Sequence, residues 1–367
     1  MKFEAGKMYR FKNKMSGKYL DVARDSKDEW ANIQQYEYVE NALSEKFFIH
    51  PLDNNYYAII SCLSGRTLDI QYDSKDNWAN VQLYHWTGAD SETWSLNADP
   101  INPDYHVVMS NLSGKVLDVA RDRKDNWANI QMYEETPDLD GQKWLIEEDG
   151  EVTLPTTETE ELPSVPECTK INEALPDKTK KVATHTTTIP AILVQDSIYS
   201  LSDQIKKSPY YNIVKNQYWR KTADYRMAPG ESHEITNTTG ITETDQQTIK
   251  HTIGISIQHD MGISFGGISA SSSHQFRYEL EIENSHTTEK LKQETQRHKI
   301  VNIRDTDMRF VQYILETEYS LRRSNGSIVK TWSLNDKNTV HSTSYFQKGS
   351  ENTNVVARIS DIETISS

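Results

Sequence analysis

The sequence predicts an all-β chain of two domains. One is a closed, threefold domain over residues 1–150; the other is an elongated antiparallel domain over residues 151–367, with 151–182 as its linker-like start. Three observations carry that expectation: a tripled N-terminal repeat, a proline-broken acidic hinge, and long strand-like alternation in the second half. The length of 367 residues agrees, because single cores rarely grow past about 250–300 residues.

The repeat is the strongest feature. Residues 15–36 read MSGKYLDVARDSKDEWANIQQY, residues 63–84 LSGRTLDIQYDSKDNWANVQLY and residues 112–133 LSGKVLDVARDRKDNWANIQMY. Asp21, Asp69 and Asp118 are spaced by 48 and 49 residues, as are Trp30, Trp78 and Trp127. In each copy Ser-Gly marks a turn, while Leu-Asp-Val/Ile and Ile/Val-Gln-x-Tyr alternate with period two, as short half-buried strands do. Each copy closes on an aromatic residue, in Glu45-Lys46-Phe47, Glu92-Thr93-Trp94 and Gln142-Lys143-Trp144. Leu20, Leu68, Leu117, Trp94 and Trp144 read as core. Three units of about four strands, closed on themselves, leave no open sheet edge.

This pattern, in triplicate over residues 6–150, resembles the ricin-B-like β-trefoil. The resemblance implies carbohydrate binding with one shallow site per repeat, where an aspartate pairs with an aromatic ring that stacks on a sugar face. The matching residues are Asp21, Gln34 and Tyr36, then Asp69, Gln82 and Tyr84, then Asp118, Gln131 and Tyr133. The chemistry is sound: a carboxylate accepts from two vicinal hydroxyls, and a flat ring covers the apolar C–H face of a pyranose. Where the family usually places a sugar-contacting Asn before the final Gln, this chain has Ser44, Ser91 and Gly141, and Glu replaces Gln twice. That departure counts against the usual galactose-type binding. Trp30, Trp78 and Trp127 lie in a tripled polar block and are either sugar platforms or packing lids. Turn capping is the structural alternative for the three aspartates.

Residues 147–168, EEDGEVTLPTTETEELPSVPEC, form the hinge, where Pro155, Pro163 and Pro166 exclude continuous helix or central strand. Charge divides unevenly across it, −10 for residues 1–150 and −4 for the remainder. Beyond it, 18 of the 64 residues from Ser232 to Thr295 are Ser or Thr. Ile253, Ile255, Ile257, Met261, Ile263 and Phe265 alternate with small or polar residues, which predicts one strand over residues 253–265. After a Gly/Ser tip at 266–273, Phe276, Tyr278, Leu280 and Ile282 alternate against Arg277 and three glutamates. Such a strand exceeds the roughly 9–11 residues that cross a bilayer at a tilt, and apolar-out, polar-in alternation suits a membrane barrel. One hairpin cannot satisfy its edges in hydrocarbon, so several chains would have to share the barrel. By alternation alone, an ordinary amphipathic hairpin on a soluble core is the simpler reading.

Three further segments are similar to the Bin-like (Toxin-10 or Tpp) insecticidal toxins. They are Ser208-Pro209-Tyr210-Tyr211, Lys215-Asn216-Gln217-Tyr218-Trp219 and Tyr319-Ser320-Leu321-Arg322-Arg323-Ser324-Asn325-Gly326. That similarity implies an aerolysin-type pore-forming domain behind the trefoil, in a protein of a spore-forming bacillus stored as a parasporal crystal and acting at the insect midgut. Its implied partners are a cell-surface glycan or glycoprotein receptor, the target-cell membrane, further copies of itself in a homo-oligomer, and a second toxin component. Proteolytic trimming near a terminus, at Lys348 or Arg358, is part of the same expectation. Tyr210, Tyr211, Tyr218 and Trp219 are expected to be structural.

Composition closes off other classes. A net charge of −14 argues against nucleic acid, and no run approaches the about 18 apolar residues of a membrane helix. The start, MKFEAG, lacks the apolar stretch of a secretory signal, so synthesis without one is expected. Cys62 and Cys168 give neither disulfide nor metal spacing, and His251, His259, His274, His286 and His298 never fall at metal-ligand spacing. No nucleophile elbow, zincin helix or phosphate loop is found. No catalytic residue, metal or cofactor is therefore expected. Two other readings stand: a lectin with a structural stalk, and a lectin-tethered hydrolase, which would need two carboxylates held across a cleft.

Overall fold

The computed structural model describes residues 3–253, 255–258, 262–265, 293–333, 340–346 and 360–365. Each repeat supplies four strands. The first gives β1 (Lys7–Asn13), β2 (Tyr19–Val22), β3 (Ile33–Tyr36) and β4 (Phe47–Pro51). The second gives β5 (Tyr56–Ser61), β6 (Thr67–Ile70), β7 (Val81–Tyr84) and β8 (Trp94–Ala98). The third gives β9 (Tyr105–Ser110), β10 (Val116–Val119), β11 (Ala128–Tyr133) and β12 (Lys143–Glu151). Strands β1, β4, β5, β8, β9 and β12 pair in that cyclic order and close a six-stranded barrel. Hairpins β2–β3, β6–β7 and β10–β11 cap one end. This is a β-trefoil. Its core takes the repeated apolar positions, Leu20, Leu68 and Leu117 with Phe47, Trp94 and Trp144, all fully buried. Each tryptophan ties off its N–H within that core: Trp94 Nε1 donates to Leu68 O at 3.0 Å, Trp144 Nε1 to Leu117 O at 3.3 Å.

The second half is an antiparallel body. It comprises β13 (Val182–Pro190), α1 (Leu201–Lys207), β14 (Tyr210–Met227), β15 (Ser232–Thr239), α2 (Glu243–Ile253), β16 (Ile255–Gln258) and β17 (Gly262–Phe265). Then follow β18 (Glu294–Val301), β19 (Met308–Arg322), β20 (Ile328–Ser333), β21 (Val340–Phe346) and β22 (Ser360–Ile365). Its spine is the β14–β19 pair, in register from Asn212 opposite Arg322 to Met227 opposite Met308, with β13 on one side and β20 and β21 along the other. Strands β15, β18 and β22 form a second sheet. Residues 152–181 carry little regular structure, yet Val165, Cys168 and Leu175 pack against Val311 and Tyr313 of the spine.

One expectation is corrected here. Residues 253–265 are not a single strand: Ile253 closes α2, and β16 folds back on β17 as a short hairpin, Ile255 opposite Phe265 and Ile257 opposite Ile263. Helix is favoured locally because 243–253 opens with acidic Glu243 and Asp245 at the positive end of the helix dipole and holds no helix-breaking Gly or Pro. Met261, Phe276, Tyr278, Leu280, Ile282, Lys348 and Arg358 lie outside the described residues.

The trefoil meets the body through strands buried on both faces. On β4 and β5, Phe47, Ile49 and Ile59 point into the barrel, while Phe48, Ala58 and Ile60 join Cys62, Ile189, Ile205, Tyr210 and Ile213 in a second core. The β5–β6 turn completes that contact. Gly65 has φ +77°, and a Cβ there would sit 3.2 Å from Leu201 and Ile205 side-chain carbons. Gly17 and Gly114 make the same left-handed turn in the other repeats with nothing within 4 Å. Gly65→Val should therefore cost about 1–3 kcal/mol more than Gly114→Val in denaturant unfolding. Equal losses would show that the turn does not bear on the body.

Candidate functional site

In every repeat the strand register brings the aspartate and glutamine together. Asp21 pairs with Gln34, Asp69 with Gln82 and Asp118 with Gln131. Each glutamine Nε2 donates to its aspartate's Oδ2, at 2.8, 3.0 and 2.8 Å. Tyr36, Tyr84 and Tyr133 follow two residues after the glutamine, on the same face of the strand. The three predicted sets are thus assembled, but the amide donors serve the carboxylates rather than standing free.

The carboxylates are almost fully buried. Burial pushes the Asp69 carboxyl up to about 6, with Glu92 and Asp73 adding to the rise and the Gln82 and Ser91 hydrogen bonds opposing it. Burial likewise raises Asp21 and Asp118. Sequence reasoning did not foresee what the residues after Ser44, Ser91 and Gly141 do. Glu45 is buried against Arg10 and also accepts from Val39 N. Glu92 gathers the amides of Thr87, Gly88 and Ala89. Gln142 accepts from Thr136 N and donates to Glu134 O. These side chains brace the loop before each barrel strand, and the sequence signal was the substitution of Glu for Gln twice.

The tripled tryptophans clasp the repeats together through their backbone and leave their rings exposed. Trp30, Trp78 and Trp127 all have left-handed φ, +63°, +67° and +63°, which bulky side chains rarely adopt. Each backbone N–H donates to another repeat: Trp30 to Leu83 O, Trp78 to Met132 O, Trp127 to Gln35 O, at 2.7–2.9 Å. Their rings are 63, 68 and 66% exposed and stand 6.4, 5.9 and 5.8 Å from Tyr84, Tyr133 and Tyr36. Every candidate subsite therefore joins a Tyr from one repeat to a Trp from another. Packing lids they are not, since a lid would be buried.

In the body, the predicted aromatic cluster is structural. Tyr210 and Tyr211 are buried, Tyr218 and Trp219 half-buried. Tyr211 OH donates to Asp196 at 2.9 Å, and Arg323 grips the same carboxylate through Nε and Nη2 at 2.6 and 2.9 Å. Ser324 N donates to Ser208 Oγ at 3.0 Å, so the two sequence motifs meet.

Residues 182–347 match the family described as "Insecticidal Crystal Toxin, P42" (Toxin-10), and residues 2–84 and 43–133 match "Ricin-type beta-trefoil lectin domain-like". The chain thus joins a ricin-type trefoil region to a Toxin-10 region. The binary larvicide subunit BinA of Lysinibacillus sphaericus is 32% identical over 192 residues, 51% of this chain and 52% of BinA. The insecticidal crystal protein Cry35Ab1 of Bacillus thuringiensis is 34% identical over 169 residues, 43% and 44% of the two chains. The match thus spans about half the length of these curated relatives. The crystal structure of Cry35Ab1 superposes with a TM-score of 0.74 at 23% identity, over 94% of this chain and 91% of that one, which shows a common fold.

Between about pH 4 and 6 Asp69 is protonated in the fold and ionised in the unfolded chain, so its contribution makes stability rise as pH falls through 6, by up to about 2–3 kcal/mol. Asp69→Asn cannot titrate, so the difference in thermal midpoint between wild type and variant should shift in the wild type's favour from pH 7 to pH 5; a constant difference would remove burial as the cause. Arg323→Ala leaves the Asp196 carboxylate buried without its counter-charge, held only by Tyr211 and Ile198 N, a loss of about 3 kcal/mol in denaturant unfolding.

Proposed function

We propose that this chain is an insecticidal pore-forming toxin, whose trefoil holds it to glycans or glycoproteins on midgut cells while the body assembles with further copies and inserts β-hairpins into the membrane. The observation that carries the reading is the coupling of parts: a head with three carboxylate–amide–aromatic sets, seated through a buried apolar contact on a Toxin-10 body. Surface capture raises the local concentration and so favours assembly.

The region around β16 and β17, with the alternating residues Phe276 to Ile282 beyond it, supplies the hairpin. Its alternation of large apolar with small or polar side chains is what one lipid-facing and one water-facing surface require. A second toxin component and storage as a parasporal crystal belong to the same proposal, supported by relatives named as binary larvicide subunits and an insecticidal crystal protein. The head's −10 charge keeps the chain dissolved away from its pI of about 5.3 and lets it pack densely near it.

Calcein-loaded vesicles of midgut lipids test the pore directly. After proteolytic trimming, the wild type should release the dye, and Ile257→Asp should slow release at least tenfold. Vesicles that stay intact with the trimmed protein would overturn pore formation and leave a lectin on a structural stalk.

A further inference from the structure

We propose that the capped end of the trefoil is a lipid-facing surface, on which Trp30, Trp78 and Trp127 rest at the headgroup level of a zwitterionic phospholipid bilayer. The contact is separate from the glycan sets and from the hairpin assigned to membrane entry, and depends on neither.

The backbone places the rings. Each tryptophan lies in the loop of a capping hairpin, β2–β3, β6–β7 or β10–β11, two residues before an asparagine. Those asparagines meet on the threefold axis, Asn32 Nδ2 donating to Asn129 Oδ1 and Asn129 Nδ2 to Asn80 Oδ1. Three equivalent positions around an axis lie in one plane across it, so the tryptophans mark the corners of a flat face. No described part of the body covers that face, since each ring stays mostly exposed. Large aromatic side chains held out in solvent on left-handed backbone are the mark of a contact surface.

The surrounding charge names the partner. Residues 23–30, 71–78 and 120–127 together hold six basic and seven acidic side chains, a net −1, whereas residues 1–150 as a whole carry −10. Lys27, Lys75 and Lys124 recur three residues before each tryptophan, exposed and without an ion pair among the described residues. An exposed aspartate follows each of them, Asp28, Asp76 and Asp125. An ammonium beside a carboxylate matches the phosphate and the ammonium of a phosphatidylcholine or phosphatidylethanolamine headgroup. An indole, apolar but for one N–H, favours the depth where headgroup gives way to chain. The acidic excess on the rest of the head would be repelled by an anionic leaflet. A flat threefold array needs a partner that is flat and imposes no spacing of its own. A lipid surface meets that condition, and three weak contacts made at once add up.

Flotation of the full, untrimmed chain with glycan-free vesicles of phosphatidylcholine and phosphatidylethanolamine measures the contact. The wild type should float, and brominated phosphatidylcholine should quench its tryptophan fluorescence. Trp30→Asn, Trp78→Asn and Trp127→Asn together should lower the apparent affinity at least tenfold and remove most of the quenching. Asparagine tolerates the left-handed turn and keeps the backbone donation, so the variant's circular dichroism should match the wild type. Should the triple variant unfold, the three single variants carry the test, each with affinity lowered at least twofold. Exchanging half of the phosphatidylcholine for phosphatidylserine should weaken wild-type binding. A wild type that does not float, variants that float as well as it does, or tighter binding to the phosphatidylserine vesicles would overturn the proposal. Each of those results leaves glycan capture and dye release standing, because the vesicles carry no glycan and the chain is untrimmed.

Discussion

Every part of the head depends on one constraint: a repeat of 48 or 49 residues cannot close its own edge. Three β-hairpins around an axis would each leave unpaired backbone, and the chain removes that liability by lending groups from repeat to repeat. The amides of Trp30, Trp78 and Trp127 do this, and the side chains of the preceding residues repeat it: Glu29 accepts from His85 N, Asn77 from Glu134 N and Asn126 from Glu37 N. On the axis, Asn32 donates to Asn129 and Asn129 to Asn80, at 2.8 and 3.0 Å. A left-handed tryptophan costs of order 1–3 kcal/mol, and it persists because the ring of bonds fixes it from both sides. Glycine would make the same turn without strain. Since the indoles are exposed and contribute little to the core, their retention three times over favours a use for the rings themselves.

The same closure limits what the body can do to the head. Docking centres on the β4–β5 pair, where the usual alternation gives way to unbroken apolar runs, Phe47-Phe48-Ile49 and Ala58-Ile59-Ile60, with Met8 of β1 and Trp86 packed against the same contact. In β8, by contrast, Asn97 and Ala98 stay exposed. A strand with two buried faces has no polar side to show. Docking therefore breaks the threefold symmetry and, through Gly65 at the β5–β6 turn and Trp86 after β7, reaches the second repeat's hairpin.

How much of this was legible follows from period and locality. The trefoil was readable because its signal repeats three times, and each aspartate–glutamine pair is local, thirteen residues apart across one hairpin. The docking edge was in the sequence too, as apolar runs at Phe47 and Ala58, but a run alone does not say which surface covers its second face. The Trp–Tyr pairs were hidden because they link different repeats. The strand expected over 253–265 failed for a different reason. Period-two alternation describes one face and is silent on where the chain turns, so a helix end and a hairpin fit inside the same pattern.

The hinge shows the same limit and resolves it in a physical way. Proline breaks strands, so residues 147–168 read as a spacer. Extended proline-rich backbone, however, makes no internal hydrogen bonds and leaves its carbonyls available. The body's side chains take up carbonyls of the hinge and of the residues just after it: Trp219 Nε1 donates to Pro163 O, Lys221 Nζ to Leu175 O, Tyr313 OH to Pro176 O, and Arg309 Nη1 to Ile171 O and Glu173 O. The segment also donates to the body's strands, Glu160 N to Ala183 O at 2.8 Å and Thr179 N to Trp219 O at 2.9 Å. Residues 160–179 are thus held as a strap by bonds in both directions. Because the strap covers Val311 and Tyr313 on the spine, any rearrangement of the body that needs that face must first break these five donations.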